Sequence, residues 1–90
     1  MRGLQQTKQF SREVKKAKKR GKDLEKLKAI VSQLAQDKKL HAKHRDHALI
    51  GEWKGSRDCH IEPDWLLIYT LEDGILRLDR TGTHSDLFDK

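Results

Sequence analysis

Apolar positions along this chain change their spacing about halfway. From Thr7 onward, Phe10, Val14 and Ala17 recur every three or four residues, the interval that lines one face of a helix. Thr7 or Ser11 offers a capping hydroxyl at its start. The basic run Lys18-Lys19-Arg20 followed by Gly21 suits a helix C-terminus and the residue just past it. A second helix is predicted over residues 23–37, where Leu24, Leu27, Ile30, Val31 and Leu34 make a continuous apolar face and Asp23 caps it. The short glycine-containing turn between the two predicts an antiparallel helix hairpin. Residues 1–6 read as a short strand or a frayed arm, and 38–46 as polar loop.

Beyond this point the period drops to two. Residues 57–62 alternate Cys59 and Ile61 on one side with Asp58 and His60 on the other. Residues 65–71 are nearly all apolar and rich in β-formers, as expected of a central strand covered on both faces. Glu72-Asp73-Gly74 marks a tight hairpin turn. A return strand over 75–81 then puts Leu76, Leu78 and Arg80 on one side, with Ile75, Arg77 and Asp79 on the other. Helices followed by an antiparallel sheet give an α+β fold, one domain over residues 1–90. The helix hairpin packs on one face of this small sheet and leaves the other to form a cleft.

Composition adds partners to this picture. Only 34% of residues are hydrophobic and 38% are charged, so much of the chain is solvated surface around one modest core. The net charge of +6 is uneven: residues 1–45 hold 15 Lys and Arg against 4 Asp and Glu, and residues 46–90 hold 5 against 10. A basic half predicts an acidic partner, whether nucleic acid, an acidic protein segment or an anionic surface. The crowding of Lys15, Lys16, Lys18, Lys19, Arg20 and Lys22 over two turns favours an interaction surface over a plain solvated face. No apolar run reaches membrane-spanning length and the N-terminus lacks the apolar stretch of a signal peptide. The single Cys59 permits no internal disulfide, which fits a reducing cytoplasm. It reads as a buried strand residue.

Candidate chemistry centres on the histidines. Imidazole exchanges protons near neutral pH, and three of the five histidines, His47, His60 and His84, lie in the strand-rich half. His60 shares its side of the strand with Asp58 and Glu62. A turn at Pro63 brings Asp64 close enough to orient its ring or raise its pKa. His84 follows the last strand, and Arg80 on that strand offers a bidentate grip on phosphate. Such a set suits RNA transesterification: one group deprotonates a ribose 2′-OH, a second protonates the departing 5′-oxygen, and a cation stabilises the phosphorane. Neither metal nor cofactor is required. His41 and His44 read as surface or capping residues. The spacing of His41, His44 and His47 lacks the paired ligand motifs of a zinc site. Trp53 and Trp65 read as packing residues, and Phe88 as either a core plug or a base-stacking residue.

At these residues the chain resembles the YafQ-type mRNA interferases of the RelE/ParE toxin superfamily. The resemblance runs through the basic helices, Asp46-His47-Ala48-Leu49 and Gly51-Glu52-Trp53-Lys54-Gly55. It is most specific over Arg57-Asp58-Cys59-His60-Ile61-Glu62-Pro63-Asp64-Trp65-Leu66-Leu67-Ile68-Tyr69 and the ending Arg80-Thr81-Gly82-Thr83-His84-Ser85-Asp86-Leu87-Phe88. It implies a RelE-like microbial ribonuclease fold and a cytoplasmic, ribosome-dependent endoribonuclease that cuts mRNA in the A site of the 70S ribosome, without a metal. His47, His60, Asp64 and His84 match active-site positions, with His60 or Asp64 as base, His84 as acid and His47 aiding. Arg80 matches a position near the scissile phosphate, and Phe88 a C-terminal aromatic facing substrate. The basic helices would grip ribosomal RNA. The resemblance further implies a monomeric free toxin and a cognate antitoxin, commonly two of each in the complex, with operator DNA bound only through the antitoxin. Two alternatives share the sequence features: a gyrase-directed toxin on the same superfamily fold, and a non-catalytic basic nucleic-acid-binding module.

Overall fold

Thr7 and Asp23 start the two helices that the apolar spacing predicts. Thr7 Oγ1 accepts the Phe10 N–H at 2.9 Å ahead of α1 (Lys8–Lys19), and Asp23 accepts the Glu25 N–H at 3.0 Å ahead of α2 (Leu24–Ala35). Past the end of α1, Gly21 takes φ 82°, its N–H bonds the Lys18 carbonyl, and the Lys22 N–H reaches back to the Ala17 carbonyl. This pair of bonds is a Schellman ending, and it turns the chain sharply into α2. The computed structural model describes residues 1–88.

Five strands form one sheet: β1 (Gly3–Gln6), β2 (His47–Ala48), β3 (Arg57–Glu62), β4 (Trp65–Glu72) and β5 (Ile75–Gly82), in the spatial order β1-β5-β4-β3-β2. The β2–β3, β3–β4 and β4–β5 pairs are antiparallel, as expected, but β1 runs parallel to β5. The N-terminal segment is therefore a strand and not an arm. Residues 38–46 are also more than loop. Leu40 is buried in the core, a 3-10 turn spans Ala42–His44, and the two residues after Asp46 add an edge strand to β3.

Phe10 and Ala17 from α1, with Leu27, Ile30, Leu34 and Ala35 from α2, pack on one face of the sheet against Cys59, Ile61, Trp65, Leu67, Tyr69, Leu76 and Leu78. Cys59 is fully buried, and burial pushes its thiol pKa up, so it is a packing residue. Because β4 alternates, Leu66 and Ile68 face the other way. There Leu87 from α3 (His84–Phe88) covers them, with Leu49, Trp53 and Phe88 packed alongside. The second face is thus partly closed by a small core of its own. Both tryptophans pack. The indole N–H of Trp65 donates to Thr81 Oγ1 at 2.9 Å, and that hydroxyl donates to the Leu66 carbonyl at 2.7 Å. No helix among the described residues is long and apolar enough to cross a membrane.

A β-bulge corrects one expectation. Tyr69 pairs with Leu78, but Ile68 pairs with Arg80, so Asp79 is an extra residue on β5. Arg80 therefore leaves the side of Leu76 and Leu78 and joins that of Ile68.

Thr83 and Asp86 close the start of α3 reciprocally: Thr83 Oγ1 accepts the Asp86 N–H at 3.1 Å, and the Asp86 carboxylate accepts the Thr83 N–H at 3.0 Å. Arg20 at the end of α1 reaches the same carboxylate at 2.7 Å, and the guanidinium beside it holds the Asp86 pKa well below the usual carboxylate range. Gly82 makes room for this arrangement, since a Cβ there would lie 2.9 Å from Asp86 Cβ. Gly82→Ala is expected to cost about 1–3 kcal/mol, the usual range for overpacking, measured by urea unfolding. An unchanged midpoint would show that Asp86 moves aside freely.

Candidate active site

Strand pairing places the site residues before any side chain is considered. Directly opposed residues in an antiparallel pair share a face, and so do residues two apart on one strand. His47 on β2 stands opposite Asp58 on β3, and His60 lies two positions along. On β4, Ile68 opposes Asp58 and Leu66 opposes His60. His47, Asp58 and His60 therefore project from the face that Leu66 and Ile68 floor. The small second core on that floor brings in α3, whose first residue is His84.

The rings of His60 and His84 meet edge to face with centroids 5.4 Å apart. Asp64 Oδ1 accepts both the His84 ring Nδ1–H at 2.6 Å and the His84 backbone N–H at 2.9 Å. These two hydrogen bonds hold the Asp64 pKa below the usual carboxylate range. An ionised carboxylate only accepts, so Nδ1 of His84 carries a hydrogen and Nε2 is left for other partners. The expected link from Asp64 to His60 is thereby replaced. The Pro63-Asp64 turn carries the carboxylate across to His84. His60 is half-buried, and burial lowers its pKa from the ordinary 6.5, helped by the nearby charges of His84 and Arg45 and opposed mainly by Asp58.

Asp58 is the residue that sequence reasoning passed over. Alternation put it on the side of His60, but nothing in the spacing announced its burial. Its side chain is only 4% exposed. Oδ1 lies 3.1 Å from His47 Nδ1 without an aligned hydrogen bond, because that ring nitrogen donates to the Arg45 carbonyl at 2.7 Å. Burial raises the Asp58 pKa, and the charges of His47, His60 and His84 pull it back. One sealed carboxylate thus sits within the field of all three imidazoles.

The other predicted residues divide. His41 caps the 3-10 turn by accepting the Lys43 N–H at 3.0 Å, in keeping with a capping role. His44 is more than a loop residue: it is half-buried, and its Nδ1 donates to the backbone carbonyl of His60 at 2.7 Å. Arg80 does not present a free fork. Its Nε and Nη2 are both held by the Glu13 carboxylate, at 2.9 and 2.6 Å, so the bidentate grip expected for phosphate is occupied by α1. Phe88 packs against the second core. The basic cluster is also split. Lys15, Lys18 and Lys19 are exposed, whereas Lys16 and Arg20 engage Asp86, and Lys22 engages Glu62 while lying 5.9 Å above the Trp65 ring. Among the described residues, no group of three or more His, Cys, Asp and Glu side chains is arranged to hold a metal ion.

This arrangement has close relatives. Residues 2–89 match the family described as bacterial toxin of type II toxin-antitoxin system, YafQ. The mRNA interferase toxin YafQ of Escherichia coli K12 is 50% identical over 88 residues, spanning 97% of this chain and 96% of that protein. The toxin in the crystal structure of the E. coli DinJ-YafQ complex superposes with a TM-score of 0.91 at 49% identity, covering 98% of this chain and 99% of that one. A copper-bound mutant toxin from Helicobacter pylori superposes with a TM-score of 0.94 at 39% identity, covering 98% of this chain and all (100%) of its own. With its fold and nearly its whole length shared with these proteins, the chain belongs to the YafQ family of bacterial type II toxin-antitoxin toxins.

Proposed function

We propose that this protein is a ribosome-dependent endoribonuclease that cuts mRNA in the ribosomal A site and so arrests translation. The observation that carries the reading is the His60–His84 pair, two imidazoles in contact but in unlike surroundings. His60, with its pKa lowered by burial, is unprotonated near neutrality and acts as the base toward the ribose 2′-OH. The 2′-oxygen attacks the adjacent phosphorus, and the bond to the 5′-oxygen breaks. His84 donates the proton that the leaving oxygen takes up. Asp64 is committed to His84 and serves it as orienter and counter-charge, not as the base. His47 and the buried Asp58 complete the electrostatic frame. The products are a 2′,3′-cyclic phosphate and a 5′-hydroxyl, and solvent resets the two histidines. The reaction needs no metal. An open site of this kind relies on the ribosome to splay its substrate, and the exposed Lys15, Lys18 and Lys19 are free to meet ribosomal RNA.

By kinship with the DinJ-bound relative, the protein's partner is a cognate antitoxin in a cytoplasmic complex of two toxins with two antitoxins. Operator DNA is reached through the antitoxin, and the free toxin is a monomer acting as one domain.

Loss of either imidazole should disable the site. His60→Ala and His84→Ala should each lower cleavage on programmed ribosomes by about 10²–10⁴ and relieve growth arrest. Wild-type cleavage should lose rate on acidification only below pH 6.5, because a lowered pKa moves the base limb downward. Full toxicity of the double variant would overturn the catalytic reading. Folding has the same sign: the unfolded chain binds the His60 proton more readily, so stability at that residue is lost as pH falls below 6.5.

Asp58→Asn separates function from folding. A raised carboxyl pKa means the ionised form is disfavoured in the fold, so the neutral amide should leave the thermal midpoint at pH 7 unchanged or higher. Cleavage should nevertheless drop about tenfold or more, equivalent to about 1.4 kcal/mol of lost transition-state stabilisation. A fall in the midpoint together with activity would assign Asp58 to the fold alone. The copper-bound relative motivates a third measurement. A chelator selective for transition metals, added at constant magnesium, should leave ribosomal cleavage unchanged. Loss of activity restored by copper or zinc would contradict the metal-free route.

A further inference from the structure

A cleft of about 690 Å³ opens beside the histidine pair, and both His60 and His84 line it. Its volume falls within the range of small-molecule sites. One wall is α2, contributing Lys26, Ala29 and Gln33, and the other is the turn bearing Lys43, His44 and Arg45. Lys26 is committed to Glu62 at 2.9 Å. Lys43 and Arg45 are exposed, and among the described residues their side chains meet no carboxylate. The charge of Arg45 already reaches His60, where it helps lower the ring's pKa.

The backbone that carries these cations is held on all sides. His41 caps it through the Lys43 N–H, and the Arg45 N–H bonds the Ala42 carbonyl at 3.0 Å. The Arg45 carbonyl accepts from His47, and His44 bonds the carbonyl of His60 itself. Arg45 also takes φ 47°, a left-handed conformation that glycine or asparagine adopts at lower cost. A strained arginine fixed next to a reactive pair is a pattern that positioning of a ligand explains. Arg80 cannot supply this charge while its fork is held by Glu13.

We infer that this cleft is the subsite for the nucleotide adjoining the scissile phosphate. Arg45 and Lys43 hold the RNA backbone phosphate, and the exposed Ala29 and Pro63 give the base an apolar surface. Guanidinium matches phosphate geometry bidentately. The tether from His44 to the His60 carbonyl keeps that grip in register with the base. This inference rests on the His60–His84 pair being the cleavage centre.

The test uses a trinucleotide made uncleavable by 2′-O-methyl groups, titrated into isotope-labelled full-length protein and followed by NMR. His44, His60 and Arg45 resonances should shift together and saturably. Lys43→Ala with Arg45→Gly should weaken binding about tenfold and flatten the log–log salt dependence by about 0.7 for each phosphate no longer neutralised. Glycine relieves the left-handed backbone at 45, so a preserved thermal midpoint is expected, and weakened binding then reflects the missing charge. Ala29→Trp, which fills the cleft without changing charge, should weaken binding as well. On programmed ribosomes the Lys43/Arg45 double variant should raise KM more than it lowers kcat. Shifts that bypass His44 and Arg45, or wild-type binding by the folded double variant, would overturn the subsite even where His60-dependent cleavage is intact. If the trinucleotide binds in the cleft but wild-type protein leaves mRNA uncut on ribosomes, the cleavage reading fails, and the placement of the cleft beside a scissile phosphate falls with it.

Discussion

Strand β4 must be covered twice. Trp65, Leu67 and Tyr69 point to one side and Leu66 and Ile68 to the other, and all five are buried. Two amphipathic helices supply the first cover. The second has to come from the short segments left over: the Leu49–Trp53 region before β3, and the five residues of α3 after β5. His47 lies at the edge of the first of these segments and His84 begins the second. Burial of Leu66 and Ile68 thus draws together two segments far apart in sequence, and His47 and His84 arrive with them.

The same economy governs charge. A chain with a net charge of +6 has carboxylates to spare only where geometry demands them, and several are committed to cations. Glu13 locks Arg80, Asp86 receives Arg20, and Glu62 receives Lys22 and Lys26. Asp46 accepts from Tyr69 at 2.5 Å and Arg57 at 3.3 Å, anchoring the residue just before His47. Burial and this bond push the Tyr69 pKa up, so the phenol stays a neutral donor. Among the described residues, the side-chain cations left without an ion pair form a smaller set than the composition suggests, on α1, along residues 38–45 and at Lys54.

Much of this was legible in the sequence because it rests on local rules. Both helix starts, the glycine stop at Gly21, the Asp73-Gly74 turn and the alternation of β3 are decided by near neighbours along the chain. Tertiary packing set the rest. Nothing within 38–46 marks Leu40 as core or His44 as tied to β3, since both depend on where β3 lies. The bulge at Asp79 reverses the facing of Arg80, and period-two counting has no means of detecting one extra residue. Asp64 sits four positions from His60 in sequence, which made a pair of them natural. The turn geometry gave it to His84, twenty residues away. Asp58 carried a visible signal, its shared side with His60, but its burial within the field of three imidazoles depends on where the strands and α3 meet.

The five residues of α3 have a further consequence. A helix this short does not hold together in isolation. It persists because Leu87 is buried, Thr83 and Asp86 cap each other, and Arg20 clasps the far side. None of these ties is a hydrogen bond of the β3–β4–β5 ladder. Opening of this segment breaks only those ties and uncovers Leu66 and Ile68, a smaller loss than unfolding the sheet and both long helices. His84 travels with it. Release of this segment would part His84 from His60 while leaving the hydrogen bonds of the ladder in place.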